Sequence, residues 1–136
     1  SAPVARLELR AAYTLLDGEI LESGNTFDPI YAAGQPLLRR PRHQGSLGAA
    51  WRAGRGSLGA TLLLVGERAD SDFAGLGLTR NEGYARLDLR ARLALARGLT
   101  LLATGENVLD AEYMEVLGYP APGRAVRLAL RYGSRR

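Results

Sequence analysis

Between residues 84 and 96 the chain alternates strictly in polarity, and this period of two constrains its fold more than any other feature. Ala85, Leu87, Leu89, Ala91, Leu93 and Leu95 fall on one side; Tyr84, Arg86, Asp88, Arg90, Arg92, Ala94 and Ala96 fall on the other. Successive side chains of an extended strand point to opposite faces, whereas a helix would scatter these charges around its circumference. The run therefore predicts a strand with one apolar and one charged face.

Five further runs repeat the pattern. Residues 6–14 set Leu7, Leu9, Ala11 and Tyr13 against Arg6, Glu8 and Arg10. Residues 46–53 set Leu47, Ala49, Trp51 and Ala53 against Ser46, Gly48, Ala50 and Arg52. Residues 58–64 place Leu58, Ala60, Leu62 and Leu64 opposite Gly59 and Thr61, with Leu63 out of pattern. Residues 99–106 and 124–132 complete the set, the last placing Val126, Leu128, Leu130 and Tyr132 against Ala125, Arg127, Ala129 and Arg131. The expected fold is all-β, an antiparallel up-and-down meander of about six strands in one domain.

The connections alternate in length. Residues 17–40, 66–83 and 107–123 are long; Gly54-Arg55-Gly56 and Arg97-Gly98 are tight. Soluble hairpin loops usually run about 2–5 residues at both ends. Short turns at one end and long loops at the other are the pattern of outer-membrane barrels. The runs approach the roughly 9–11 residues a tilted strand needs to cross a bilayer.

Composition agrees. No apolar run approaches the roughly 20 residues of a membrane helix, but a closed β-barrel also satisfies every backbone group in lipid. The charged face holds Arg6, Glu8, Arg10, Arg52, Arg86, Asp88, Arg90, Arg92, Arg127 and Arg131. So many charges do not suit a dry core, because an unpaired buried charge is costly. They suit a wet lumen or a solvent face, and the Leu/Ala face suits lipid. All 18 basic residues are Arg.

The segment from Thr104 to Arg124 carries two motifs: Asn107, Asp110 and Tyr113, then Tyr119, Pro120, Pro122, Gly123 and Arg124. Together they resemble the last extracellular loop of TonB-dependent outer-membrane receptors, ahead of the closing strand. Arg39-Arg40-Pro41-Arg42-His43 resembles an element that opens a late strand of those barrels. Tyr84-Ala85-Arg86-Leu87-Asp88-Leu89 resembles one two strands before the last. The motifs fall in the family's order, and vitamin B12 and siderophore receptors look most similar.

The resemblance implies a barrel of about 22 strands, a plug and a TonB box. By it, residues 1–136 form the C-terminal barrel segment, without plug or TonB box. The implied parent sits in the bacterial outer membrane and imports a scarce solute such as cobalamin or a ferric siderophore. The segment supplies wall strands, lumen charges and extracellular loops that meet a small-molecule ligand. It is no enzyme and needs no cofactor. Its partners are the lipid bilayer and, through N-terminal parts alone, TonB; alone, it is expected to self-associate. The family usually ends on an aromatic residue, whereas Tyr132 here is followed by Gly133 to Arg136.

Competing readings are weaker. Asp70 and Asp72, with Glu67 nearby, are oxygen donors that would suit Ca²⁺, but no EF-hand pattern completes a site, and a solvated loop is the favoured reading. His43 is the only His, and no Cys is present, so it is read as a strand-start hydrogen bonder. The Arg face lacks the interleaved aromatics of a nucleic-acid surface, and no nucleic acid is expected. Tyr13, Trp51, Tyr84 and Tyr132 lie near strand ends, where interfacial girdles form. The alternative function is a small soluble β-sheet or barrel domain that binds a small molecule or partner protein.

Overall fold

The computed structural model describes residues 5–25, 27–72, 77–96 and 98–133. Arg97 and the last three residues of the tail after Tyr132 lie outside that set. In chain order the strands are β1 (Arg6–Leu15), β2 (His43–Ala53), β3 (Gly56–Val65), β4 (Arg68–Ser71), β5 (Leu78–Asn81), β6 (Tyr84–Ala94), β7 (Leu99–Glu106), β8 (Met114–Val116), β9 (Tyr119–Pro120) and β10 (Ala125–Tyr132). A 3-10 turn, Pro29–Tyr31, sits in the first long connection, capped by the Asp28 carboxylate.

Six of these strands make one antiparallel sheet in the order β1-β2-β3-β6-β7-β10. Every neighbour in the sheet is also the next long strand in the chain, as the alternation predicts. The expected strands 6–14, 58–64 and 84–96 shift by one or two residues at their ends, and β2 begins three residues early, at His43. The tight turns at Gly54 and Gly98 have φ of 52° and 82°, a left-handed conformation in which glycine meets no side-chain penalty.

Register converts the alternation into two surfaces. Leu9, Ala49, Ala60, Leu89, Gly105 and Val126 stand side by side across all six strands. Leu7, Trp51, Leu58, Ala91, Ala103 and Leu128 form the next row. On the other face, Glu8, Ala50, Gly59, Arg90, Thr104 and Arg127 share a row. A slip of one residue would exchange the faces, so the alternation excludes it. All ten expected charged-face residues lie on one side. Leu63, out of pattern in the sequence, stands among them, opposite Ser46 and Arg86.

Among the described residues, no second layer covers either face. A water-soluble domain packs two layers over a core. Here Leu9, Val126 and Leu128 are each at least 70% exposed, and the only buried hydrophobic residue among the described ones is Ile30, in the first loop. The other buried residues are polar: Arg68, Asp70, Asn81 and Asn107. Among the described residues, β1 and β10 are edges with no neighbour on their outer sides.

The long connections are not bare loops. β4–β5 forms a hairpin inside residues 66–83, and β8–β9 a smaller one inside 107–124. A Glu19–Pro36 bridge closes the first connection. These elements were not expected from the sequence.

The aromatic girdle needs correction at one position. Tyr13, Trp51 and Tyr132 do lie on the apolar face near strand ends. Tyr84 lies on the charged face, as the alternation already placed it, and its ring stacks on Tyr113 at 3.9 Å between centroids, so it takes no part in a lipid-facing girdle.

Gly83 tests how closely the second loop is seated. A Cβ there would lie 2.6 Å from the Val65 carbonyl oxygen and 3.0 Å from the Gly66 carbonyl carbon, both backbone atoms. Gly83→Ala is expected to destabilise by about 1–3 kcal/mol, the usual range for overpacking. Gly24→Ala, with nothing within 4 Å, is expected to leave stability unchanged. Urea unfolding of the full-length receptor containing this chain reads both.

Candidate functional site

At the loop end of the sheet the buried polar residues join the three long connections. Asp70, on β4, has no exposed surface. Its Oδ1 accepts from Arg39 Nε at 3.0 Å and from the Ser71 amide at 2.9 Å. Its Oδ2 accepts from the Leu117 amide at 2.9 Å and from Asn81 Nδ2 at 3.4 Å. These donors come from the first, second and third connections, so one carboxylate ties all three. Arg39 adopts φ 59° to reach it, and its amide donates to the Ala69 carbonyl at 2.7 Å.

Burial pushes the Asp70 carboxyl upward, but hydrogen bonds from the Leu117 amide, the Arg39 guanidinium and the Ser71 amide outweigh it, so the pKa falls below its ordinary value. Donors aimed at the charged form favour ionisation. The arrangement is a latch between loops. Asp72 donates its amide to the Gly77 carbonyl, and among the described residues no group of three acidic or His side chains gathers to hold a metal.

Arg68, two residues before Asp70, reinforces the same contact. Its Nη2 donates to the Met114 and Glu115 carbonyls, and Asn81 Nδ2 donates to Met114 as well. The Arg68 guanidinium also lies over the Tyr84 ring, 5.8 Å from its centroid. Its Nη1 is buried with no hydrogen-bond partner among the described residues. An unmet buried donor costs about 1–3 kcal/mol.

The Asn107, Asp110 and Tyr113 signature forms a second lock. Asn107, buried at φ 49°, follows the end of β7, and the next residue, Val108, donates its amide to the Leu87 carbonyl. Its Nδ2 donates to Ala111 O at 3.0 Å and Pro122 O at 3.4 Å; its Oδ1 accepts from the Ala111 amide at 3.0 Å. Its own amide donates to Asp88 Oδ1 at 3.0 Å. Asn tolerates the left-handed conformation and bonds its local backbone, which accounts for its use here.

Asp110, at φ 54°, accepts from the Arg124 amide at 2.8 Å. A Cβ on Gly123 would lie 3.2 Å from its Oδ1. Tyr113 stacks on Tyr84 and receives Arg86 Nη1 at 3.3 Å. The motifs met separately in the sequence are thus in contact: Asp88 holds Asn107, and Tyr84 holds Tyr113. Tyr119 and Pro120 are exposed on β9, at the tip of the same loop.

The charged face below carries short pairs. Glu8 meets Arg10 and, at 3.9 Å, Arg52. Asp88 meets Arg86 at 3.1 Å, and Glu106 meets Arg127 at 2.6 Å. Arg90 and Arg92 have no ion-pair partner among the described residues. His43, at the start of β2, bonds the Tyr13 hydroxyl through Nδ1 at 2.7 Å, and its carbonyl accepts from the Gly66 amide.

Sequence reasoning missed Arg39, Arg68 and Asn81 as latch residues. It read Asp70 as a solvated loop acid, with cation binding only a weak candidate, because a loop carboxylate gives no signal of its partners.

Two substitutions probe the locks. Asn107→Ala is expected to lose roughly 2–4 kcal/mol, from unmet carbonyls and the left-handed backbone. Asn107→Gly recovers about 1 kcal/mol of that by relieving the backbone alone; urea midpoints of the full-length receptor measure the difference. For Asp70 the folded pKa is depressed, so its stabilisation is complete above the unfolded value near 3.8 and is lost as pH falls through the folded value. Exchange protection of the Leu117 amide, corrected for intrinsic rate, is expected to be flat between neutral pH and that value. It then falls in stronger acid, and Asp70→Asn abolishes the acid step.

Comparison with known proteins places this wall and its loops. A family model described as "TonB dependent receptor-like, beta-barrel" matches residues 5–108. Metal-pseudopaline receptors of two Pseudomonas aeruginosa strains are 37% and 36% identical over 116 residues. Those matches cover 81% of this chain and 15% of each relative, so the chain spans about 15% of the length of the curated relatives it matches. The siderophore receptor PiuA of Acinetobacter baumannii superposes with a TM-score of 0.75 at 20% identity, over 93% of this chain and 19% of that one. The closed form of the ferric-catecholate import receptor Fiu of E. coli gives 0.69 at 23% identity, over 90% and 18%. At such identities these two likenesses speak for the fold. The relatives are receptors rather than enzymes, and the family is one of outer-membrane barrels. A six-stranded sheet with one apolar face, long loops locked at one end and a family match over most of its length lead to one conclusion: this chain belongs to the TonB-dependent receptor β-barrel family, in the bacterial outer membrane.

Proposed function

We propose that residues 1–136 are the C-terminal barrel segment of an active transporter that imports a chelated metal, with energy delivered through TonB. The observation that carries this reading is the identity to metal-pseudopaline receptors across most of the chain. The relatives' names point to chelated metals, which favours a siderophore-type solute over cobalamin.

In this reading the apolar face meets lipid and the charged face lines a wet lumen. The segment performs no chemistry. The Asp70 and Asn107 locks hold the three loops outside the membrane in the shape that meets solute. TonB would act on parts of the receptor outside this chain, and the edges of β1 and β10 pair with other barrel strands. The uncovered apolar face weighs against a soluble domain, since such patches mark membrane or protein contacts.

The test is uptake of a radiolabelled ferric or nickel chelate by cells that express the full-length receptor as their only such transporter. Accumulation is expected with TonB and is expected to vanish in cells lacking it. Equal accumulation in both would sink the transport reading.

A further inference from the structure

The first and third connections are not fastened to each other: among the described residues, no hydrogen bond or ion pair runs from one to the other. Each is fastened instead to β4, and the two fastenings share one side chain. Asp70 Oδ1 takes Arg39 Nε of the first connection at 3.0 Å, and Oδ2 takes the Leu117 amide of the third at 2.9 Å. The two preceding residues of β4 repeat the division. Ala69 accepts the Arg39 amide at 2.7 Å, and Arg68 donates to the Met114 and Glu115 carbonyls. Between the fastenings lies a hairpin paired in register from Arg68↔Asn81 to Ser71↔Leu78.

We propose that Asp70 is a coupling residue: it makes the first and third connections hold or release together, with the β4–β5 hairpin as the element between them. The physical reason is the enclosure of a charge. Asp70 has no exposed surface, and among the described residues Arg39 is the one cation bonded to it. When the first connection withdraws its guanidinium, no water is at hand to replace it, and an unpaired buried carboxylate is costly. The cost is relieved by letting water reach the carboxylate, which loosens the Oδ2 bond to Leu117 as well.

Arg39 supplies a second reason. Its φ of 59° is unfavourable for a residue with a Cβ, and its bonds to Ala69 and Asp70 hold it there. Loss of the Asp70 bond leaves the backbone free to relax, and the first connection then leaves the hairpin. Groups in one hydrogen-bond network show interaction energies even where they never touch. The inference rests on the import reading only for its use: solute held by one outer connection is then felt by the other.

Hydrogen exchange in the purified full-length receptor at neutral pH tests the coupling. Arg39→Ala removes the guanidinium and keeps the Cβ. It is expected to speed exchange of the Leu117 amide by roughly tenfold, inside the about 5–150-fold span of couplings between sites, although Arg39 has no bond to the third connection. The Val108 amide lies in the same connection but donates to the Leu87 carbonyl, away from Asp70; it is expected to keep its rate. Arg39→Lys, which retains the charge, is expected to restore part of the Leu117 protection. Coupling is reciprocal. Asn81→Ala frees the Met114 carbonyl and Asp70 Oδ2 without touching the first connection, and is expected to speed exchange of the Arg39 amide. Because Asn81 is buried and the Arg39 side chain half exposed, the Arg39 variants decide the matter if Asn81→Ala fails to fold. An unchanged Leu117 rate in Arg39→Ala overturns the coupling. Equal acceleration at Val108 and Leu117 overturns it too, because the loosening is then general. Exchange is read without solute or TonB, so this outcome and that of the uptake assay fail independently.

Discussion

The backbone ladder between six consecutive strands is the interaction on which everything else here depends. Net gains of about 0.5–1.5 kcal/mol per hydrogen bond do not by themselves hold a sheet together in water. In hydrocarbon the balance changes, because each unmade backbone bond costs several kcal/mol and no water competes for it. A sheet with no second layer and a single buried hydrophobic residue, Ile30, among those described is intelligible only in that solvent. The ladder also explains the composition of the two faces, since the period of two puts Leu and Ala on one side and Arg on the other.

Where the ladder ends, polar locks take over. The long connections leave the sheet without a hydrophobic core to fold onto, so their order comes from buried hydrogen-bonding groups. Asp70 gathers Arg39, Ser71, Asn81 and Leu117; Asn107 gathers Ala111, Pro122 and Asp88. Buried polar networks impose one geometry when their members are satisfied. Most atoms of these two locks are. The exceptions are Arg68 Nη1 and Arg86 Nε, both buried with no hydrogen-bond partner among the described residues.

The motifs of the sequence acquire physical meaning through these contacts. Asn107, Asp110 and Tyr113 act on the loop that contains them and on β6, through Asp88 and Tyr84. Arg39 serves the latch, and His43 caps the strand pairing beside Tyr13. Tyr119 and Pro120, by contrast, stand exposed at a loop tip. None of these roles follows from spacing, because each partner is more than a dozen residues away or is a backbone group. Asp70 is the clearest case: as a lone acid in a Gly-rich loop it reads as solvated, while in the fold it is the most enclosed side chain described.

The sequence alone determined the wall. The number and order of the wall strands and the sidedness of their charges follow from alternation and connection lengths, because a pleated strand has no other way to separate Arg from Leu. It also indicated which end carries the loops, through the lengths of the connections. Only the tertiary structure decided what happens at that end. The β4–β5 and β8–β9 hairpins, the stack of Tyr84 on Tyr113, and the convergence of three loops on Asp70 depend on contacts that alternation does not encode. Hydrophobic period is a local signal and survives in one dimension. Hydrogen bonds between a carboxylate and donors from separate loops are not, and they become visible only when the ladder has brought the loops together.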